Sequence, residues 1–176
     1  AIWDPVSESV FLARDRMGVK PLYYWASGGR FAFASEIKAL LCDPQIPRSP
    51  DLESVFHYLG YEFVPAPRTM FEAIRKLPPS HYMIVRPGCQ PEVQRYWDVR
   101  FETEEDAPEH DEQFYREGLI AHIDAAVKKR LIADVPLGVF LSGGADSSTI
   151  VAFMHRHVKE PLKTFSLGYD DPTFSE

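Results

Sequence analysis

Short bursts of β-forming residues punctuated by turns fill the chain up to about residue 100, and beyond it apolar positions recur at helical spacing. Residues 10–13, 22–25 and 31–34 are rich in aromatic and aliphatic side chains, and A-S-G-G at 26–29 joins the last two. Clusters of that length predict strands, and Gly28–Gly29 supplies the positive φ of a tight hairpin, so antiparallel sheet is expected. A short helix is expected over 35–41, with Ser35 as N-cap and Pro44 past its end, packing Ile37, Leu40 and Leu41 on the sheet. Ser49 and Pro50 signal a second helix as N-cap and first helical residue, along which Leu52, Val55, Phe56 and Leu59 form one apolar stripe. His57 falls off that stripe and reads as a solvated surface histidine. Residues 64–69 read as a proline-fixed extended loop and residues 82–85 as a strand.

From 102 to 112 the chain is acidic, contains Pro108 and offers little to a core, which predicts a linker. Past it, Phe114, Leu119, Ile123, Val127 and Leu131 recur at helical spacing. Lys128, Lys129 and Arg130 sit in the last turns, where cations suit the helix dipole and form a solvated face. The run 135–141 then reads as a short buried strand, Gly143 and Gly144 as a tight turn, and the apolar segment from 150 to 154 as part of a helix. Residues 163–168 are a further strand, which completes a βαβ unit with parallel neighbours. Ligands of such sheets bind at the carboxyl ends of the strands, where Leu141 and Leu167 stand. The region is expected to divide into domains at 1–100 and 112–176, with a linker at 101–111.

A glycine turn aimed at a helix start exposes unpaired N–H groups and partial positive charge, which makes a cradle for anions. Ser142, Ser147 and Ser148 add hydroxyls, and Asp146 adds a carboxylate able to hold a divalent cation. Phosphate oxygens and magnesium suit that inventory. A Walker loop would need lysine after its last glycine, and none stands here.

Composition narrows the class without choosing it. In 176 residues, 45% hydrophobic and 26% charged content is that of a globular protein, and no apolar run approaches the ~20 residues of a membrane span. The formal charge of −7 argues against a nucleic-acid surface but not against ATP, whose charge backbone dipoles and magnesium can meet. Cys42 and Cys89 lack C-x-x-C spacing and suggest neither a disulfide nor zinc. A cytoplasmic location is expected. The first residue is not methionine, and both ends read as cuts through a longer protein.

The six residues S-G-G-A-D-S at 142–147 resemble the S-G-G-x-D-S pyrophosphate loop of ATP pyrophosphatases. The preceding D-V-P-L-G-V-F-L at 134–141 is more narrowly similar to glutamine-hydrolysing asparagine synthetases. R-D-R-M-G-V-K-P-L-Y-Y at 14–24 resembles the R-D-x-x-G-x-K-P-L-Y-Y signature of their glutaminase domain, and I-R-K-L-P-P-S-H at 74–81 their I-x-K-L-P-P-G-H. The resemblance covers nearly the whole chain. It implies an α+β part followed by an α/β part: the end of an N-terminal-nucleophile glutaminase of αββα layering, then the first βαβ unit of an adenine nucleotide alpha hydrolase-like ATP pyrophosphatase domain.

The resemblance implies roles as well. Ser142, Gly143, Gly144, Asp146 and Ser147 would bind the outer phosphates of ATP, with magnesium on Asp146, while main-chain groups of Leu141 and Leu167 would contact adenine. Asp15 would bind the amino group of glutamine, although residues alone suggest a loop ion pair between Arg14 and Arg16. Glutamine, aspartate and ATP are the implied substrates, with no nucleic-acid or membrane partner, and a homodimer stays open. The reaction implied is amidation of aspartate through an acyl-adenylate, with release of AMP and pyrophosphate. The family's nucleophile is an amino-terminal cysteine, a role that Cys42 and Cys89 cannot fill, so this stretch alone is expected to be inactive.

Two departures stand out. Ser80 replaces a glycine, and since serine at positive φ costs about 1 kcal/mol, a milder turn is expected there. His81 falls in that structural turn. Ala145 stands where leucine is common, which leaves the amide donors intact but loosens the identity of the acceptor. Related amidotransferases acting on surface polysaccharides or forming β-lactam rings share both signatures. A transfer-RNA thiolation enzyme should carry a basic partner domain instead, and a non-catalytic ATP-binding module should release no pyrophosphate.

Overall fold

Gly28 and Gly29 do turn the chain at positive φ, and Tyr23–Ser27 (β3) and Arg30–Ala34 (β4) pair antiparallel from Tyr23 opposite Ala34 to Ser27 opposite Arg30. The computed structural model describes residues 1–101, 110–168 and 170, and the chain divides into two units, Ala1–Phe101 and Glu102–Glu176. The linker expected at 101–111 lies largely outside the described residues.

The first unit holds two sheets. Ile2–Asp4 (β1), Ser9–Ala13 (β2), His81–Val85 (β6) and Glu92–Arg95 (β7) form one antiparallel sheet in the order β1-β2-β6-β7. The second has the order β4-β3-β5, with β5 at Arg75–Lys76. Successive side chains of a strand point to opposite faces, so β3 serves two cores. On one face Tyr24 packs with Leu12, Leu77, Met83 and Val85 between the sheets; on the other Trp25 meets Leu40, Ile46 and Ile74 under Ile37–Leu40 (α1). Strands β2 and β3 are consecutive yet lie in different sheets, so residues 14–22 must cross between them.

Both helix starts differ from expectation. α1 has Glu36, not Ser35, at its N-cap and makes no side-chain cap. The second helix, Leu52–Tyr61 (α2), is capped by Asp51, whose side chain accepts from the N–H groups of Glu53 and Ser54. Tertiary pairing displaced the cap: Pro50 bridges Phe71, and Ser49 O accepts from Glu72 N. Burial pushes the Asp51 carboxyl up, but the Ser54 hydrogen bond and the Arg68 guanidinium outweigh it and hold it below its ordinary value.

The stripe on α2 is also turned outward, with Leu52, Phe56 and Leu59 about three-quarters exposed (76%, 75% and 77%) while Ser54 is fully buried. The Asp51 cap and its Arg68 partner fix the polar edge of the helix against the loop, and the apolar residues take the opposite side. His57 is half-buried, not solvated, and its Nδ1 is buried with no hydrogen-bond partner.

In the second unit Glu112–Arg130 (α3) is capped by Asp111, and of its expected stripe Val127 is buried while Phe114 and Leu119 stay exposed. Gly138–Phe140 (β8) and Lys163–Phe165 (β9) pair in parallel across Ala145–His157 (α4), as a βαβ unit should. Both strands are shorter than the expected 135–141 and 163–168. β8 is not buried either: Phe140 is 76% exposed, because no further described strand flanks the pair. A Cβ at Gly138 would lie 2.5 Å from the Phe165 ring, so a larger residue there would have to displace that ring. His157 Nε2 meets Asp124 Oδ1 at 2.9 Å and ties the end of α4 to α3. Among the described residues no helix is long and apolar enough to cross a membrane.

Candidate functional site

The loop at 142–147 is assembled from neighbours. Gly143 takes φ +93, a conformation that L side chains rarely adopt, and Gly144 is the N-cap of α4. The Ser147 hydroxyl accepts from Ser142 N at 3.3 Å, lies 3.2 Å from the Ser142 hydroxyl and donates to Gly144 O at 3.2 Å. Ser148 N returns to Gly144 O at 3.1 Å. The backbone N–H groups of Gly143, Gly144, Ala145, Asp146 and Ser147 have no hydrogen-bond partner among the described residues. All but half-buried Ser147 are exposed, and Asp146 lies in the first turn of α4. Free amides and a helix start thus lie on one exposed turn, which is the donor set an anion requires, with the Asp146 carboxylate beside them.

The two flanking leucines differ. Leu141 N donates to Phe165 O at 2.9 Å and Leu141 O accepts from the Ser166 hydroxyl at 2.6 Å, so the N–H is spent inside the βαβ unit and only the carbonyl keeps a free lone pair. Leu167 follows β9 and is 72% exposed.

Asp15 sits in a loop made by distant segments. Its Oδ2 accepts from Val19 N at 2.9 Å and its Oδ1 from Lys20 N at 3.0 Å, so it forms no ion pair with either flanking arginine. Those two backbone hydrogen bonds, Lys20 first, hold the carboxyl below its ordinary value, with a smaller contribution from the Arg14 charge. Asp15 lines a cleft of about 460 Å³ together with Lys20, Leu22, Phe33 and Ser35. Such a volume suits a small polar ligand.

Arg14 and Ser80 are the residues the sequence reading missed. The Arg14 guanidinium donates to Lys20 O, Leu77 O and Gly18 O at 2.8, 2.7 and 2.7 Å. Ser80 adopts φ +62, which overturns the milder turn expected for it. Its hydroxyl donates to Arg16 O at 2.6 Å and its N–H to Asp15 O at 3.1 Å, contacts that offset the strain. Tyr96 closes the far side, its hydroxyl on Arg14 O at 2.7 Å and its N–H on Ser80 O at 2.8 Å. The only signal in the sequence was serine in place of glycine. His81 opens β6, with Nδ1 2.7 Å from Pro79 O, and Cys42 and Cys89 are free and exposed. Among the described residues no three His, Cys, Asp or Glu side chains group as a metal site.

Residues 1–97 match the family described as glutamine amidotransferase domain, and residues 118–176 that described as asparagine synthase. Glutamine-hydrolysing asparagine synthetase 3 of Bacillus subtilis is 35% identical over 97% of this chain and 28% of its own length. A putative glutamine-hydrolysing asparagine synthetase of Mycobacterium tuberculosis is 35% identical over 100% of the chain and 27% of its own length. A Gibberella zeae protein named amidase chry2 is 33% identical over 92% and 24%. The chain therefore spans about a quarter of the length of these curated relatives.

Proposed function

The chain belongs to the glutamine-hydrolysing asparagine synthetase family, and from that membership we propose that the complete protein is an ATP-dependent amidotransferase that converts aspartate to asparagine. In this reading the domain holding residues 1–100, of αββα layering, releases ammonia from glutamine. The domain that begins near residue 112, of ATP pyrophosphatase type, activates aspartate. The side-chain carboxylate attacks the innermost phosphate of ATP, pyrophosphate leaves, and ammonia displaces AMP from the acyl-adenylate.

The observation that carries the reading is the run of five N–H groups from Gly143 to Ser147, unpartnered among the described residues, at the head of α4 behind a parallel strand. Fixed amides hold the charge that develops on the departing pyrophosphate without reorganising, which is how such a loop lowers a barrier. Ser142 and Ser147 add hydroxyls beside them. Asp146 would hold magnesium together with phosphate oxygens, an arrangement typical for that ion, which supplies charge neutralisation when bound. The Leu141 carbonyl and the Leu167 backbone would face adenine. Asp15, kept ionised by two N–H groups, would accept the ammonium of glutamine.

The test is pyrophosphate release by the complete protein given ATP, magnesium and glutamine, with aspartate and other carboxylic acids offered in turn. Release that depends on aspartate supports the reading; no release with any acid sinks it. Ala145, standing where leucine is common, supports a second reading in which the acceptor is a different carboxylate. Release with another acid but not with aspartate would select it.

A further inference from the structure

We propose that Arg14 is a positioning residue for the glutamine site, its guanidinium holding the 18–20 backbone whose N–H groups aim the Asp15 carboxylate at the substrate's ammonium. The inference rests on the reading of Asp15 given above. It starts from a single peptide plane. Gly18 C=O and Val19 N–H belong to one trans peptide and point opposite ways. Arg14 Nη2 donates to that carbonyl at 2.7 Å, and Asp15 Oδ2 accepts from that N–H at 2.9 Å. At Lys20 the two contacts fall in consecutive peptides: its N–H, in the Val19–Lys20 peptide, serves Asp15 Oδ1 at 3.0 Å, and its carbonyl, in the Lys20–Pro21 peptide, accepts from Arg14 Nε at 2.8 Å. The guanidinium thus polarises the Gly18–Val19 peptide, which donates to the carboxylate, and pins the backbone just past the second donor.

The third donor anchors this frame. Arg14 Nη1 reaches Leu77 O at 2.7 Å, across 63 residues, and Leu77 is fully buried in the core between the sheets. The loop's own hydrogen bonds are thereby tied to the core. Space around the guanidinium is tight: a Cβ at Gly18 would lie 3.2 Å from Arg14 Cζ and 2.7 Å from Pro79 Cγ. Lysine cannot take over, because one ammonium cannot reach three carbonyls set out for a planar fork. With one N–H on each oxygen, Asp15 keeps lone pairs for an ammonium in a direction set by the frame.

The experiment measures glutaminase activity of the complete protein on glutamine and on 4-carbamoylbutanoate, which lacks the α-amino group. Ammonia-dependent synthesis is run alongside as a check that the protein is folded. Asp15→Asn should collapse the preference for glutamine. Arg14→Lys should raise KM for glutamine about tenfold and leave KM for the desamino acid within about twofold, the pattern of a misaimed charged hydrogen bond. Equal rises for both substrates, or no rise for either, would overturn the role of Arg14. If Asp15→Asn leaves the preference intact, the reading of Asp15 itself fails; if it collapses the preference and Arg14→Lys does not shift it, only the present inference fails. Should Arg14→Lys lose ammonia-dependent synthesis too, Tyr96→Phe removes a single hydrogen bond to Arg14 O. A KM rise of about threefold confined to glutamine is then expected, and a rise shared by both substrates or absent from both overturns the proposal.

Discussion

The loops at 14–20 and at 142–147, which the proposed function assigns to two charged ligands, are built from opposite materials. Around Asp15 the short-range bonds to Val19 N and Lys20 N are joined by contacts from far along the chain: Leu77, Ser80 and Tyr96 close on its loop across some sixty to eighty residues. The 142–147 loop closes on itself, through bonds that reach at most five residues, and among the described residues its distant contacts fall at Leu141, from Phe165 and Ser166. Its amides are left unspent, whereas those of the Asp15 loop hold a carboxylate. One loop offers an oriented acceptor and the other a set of free donors. A carboxylate must be held from outside to be aimed, while a helix start supplies oriented N–H groups by its own geometry.

If that contrast is right, damage to the core should travel to one loop and not the other. Leu77→Ala should cost about 3 kcal/mol in denaturant unfolding and raise KM for glutamine, because a fully buried side chain is cut next to the carbonyl that anchors Arg14. Pyrophosphate release supported by added ammonia should survive at permissive temperature; its loss would erase the distinction. Asp146→Asn should lower pyrophosphate release about a hundredfold, roughly 2.7 kcal/mol, while glutamine hydrolysis continues. Unchanged release in that variant would remove Asp146 from the phosphate site.

Smaller effects sharpen the comparison. Gly143→Ala should cost about 1–2 kcal/mol and weaken ATP binding, since φ +93 is unfavourable for a side chain, with the glutamine KM unmoved. Ser80→Ala should lose about 1 kcal/mol by keeping the strain and giving up the hydroxyl bond, whereas Ser80→Gly should be near neutral because relief of strain offsets the lost bond. Matched melts of the two variants decide it. The smallest expected change is none. The Asp15 pKa is depressed, so its charged form is stabilised above the ordinary carboxylate pKa of about 3.9 and that stabilisation is lost only as pH falls through the still lower folded value. KM for glutamine should therefore show no acid limb from Asp15 between about pH 8 and pH 5, and an inflection near pH 6 that Asp15→Asn abolishes would contradict it.

Much of this was legible from residues. The Gly28–Gly29 hairpin, the parallel βαβ order and the turn at Gly143–Gly144 rest on backbone preferences that act within a few residues. The errors cluster where a distant segment intervened. Ser49 and Pro50 lost the helix start to Asp51 once they paired with residues 71 and 72, and the α2 stripe reads as a buried face by period alone yet stands exposed. Ser80 was given a relaxed turn because nothing local shows that Arg16 O waits for its hydroxyl.

The amino-acid order by itself determined the strand–glycine–helix loop at 142–147, since a positive-φ glycine and an uncapped helix start are local consequences of which residues come next. Only the folded chain decided what anchors the loop around Asp15 and which side of α2 is covered. Those depend on peptide groups and side chains brought together by sheet packing, and the free energy that sets them belongs to contacts between segments that no short window contains.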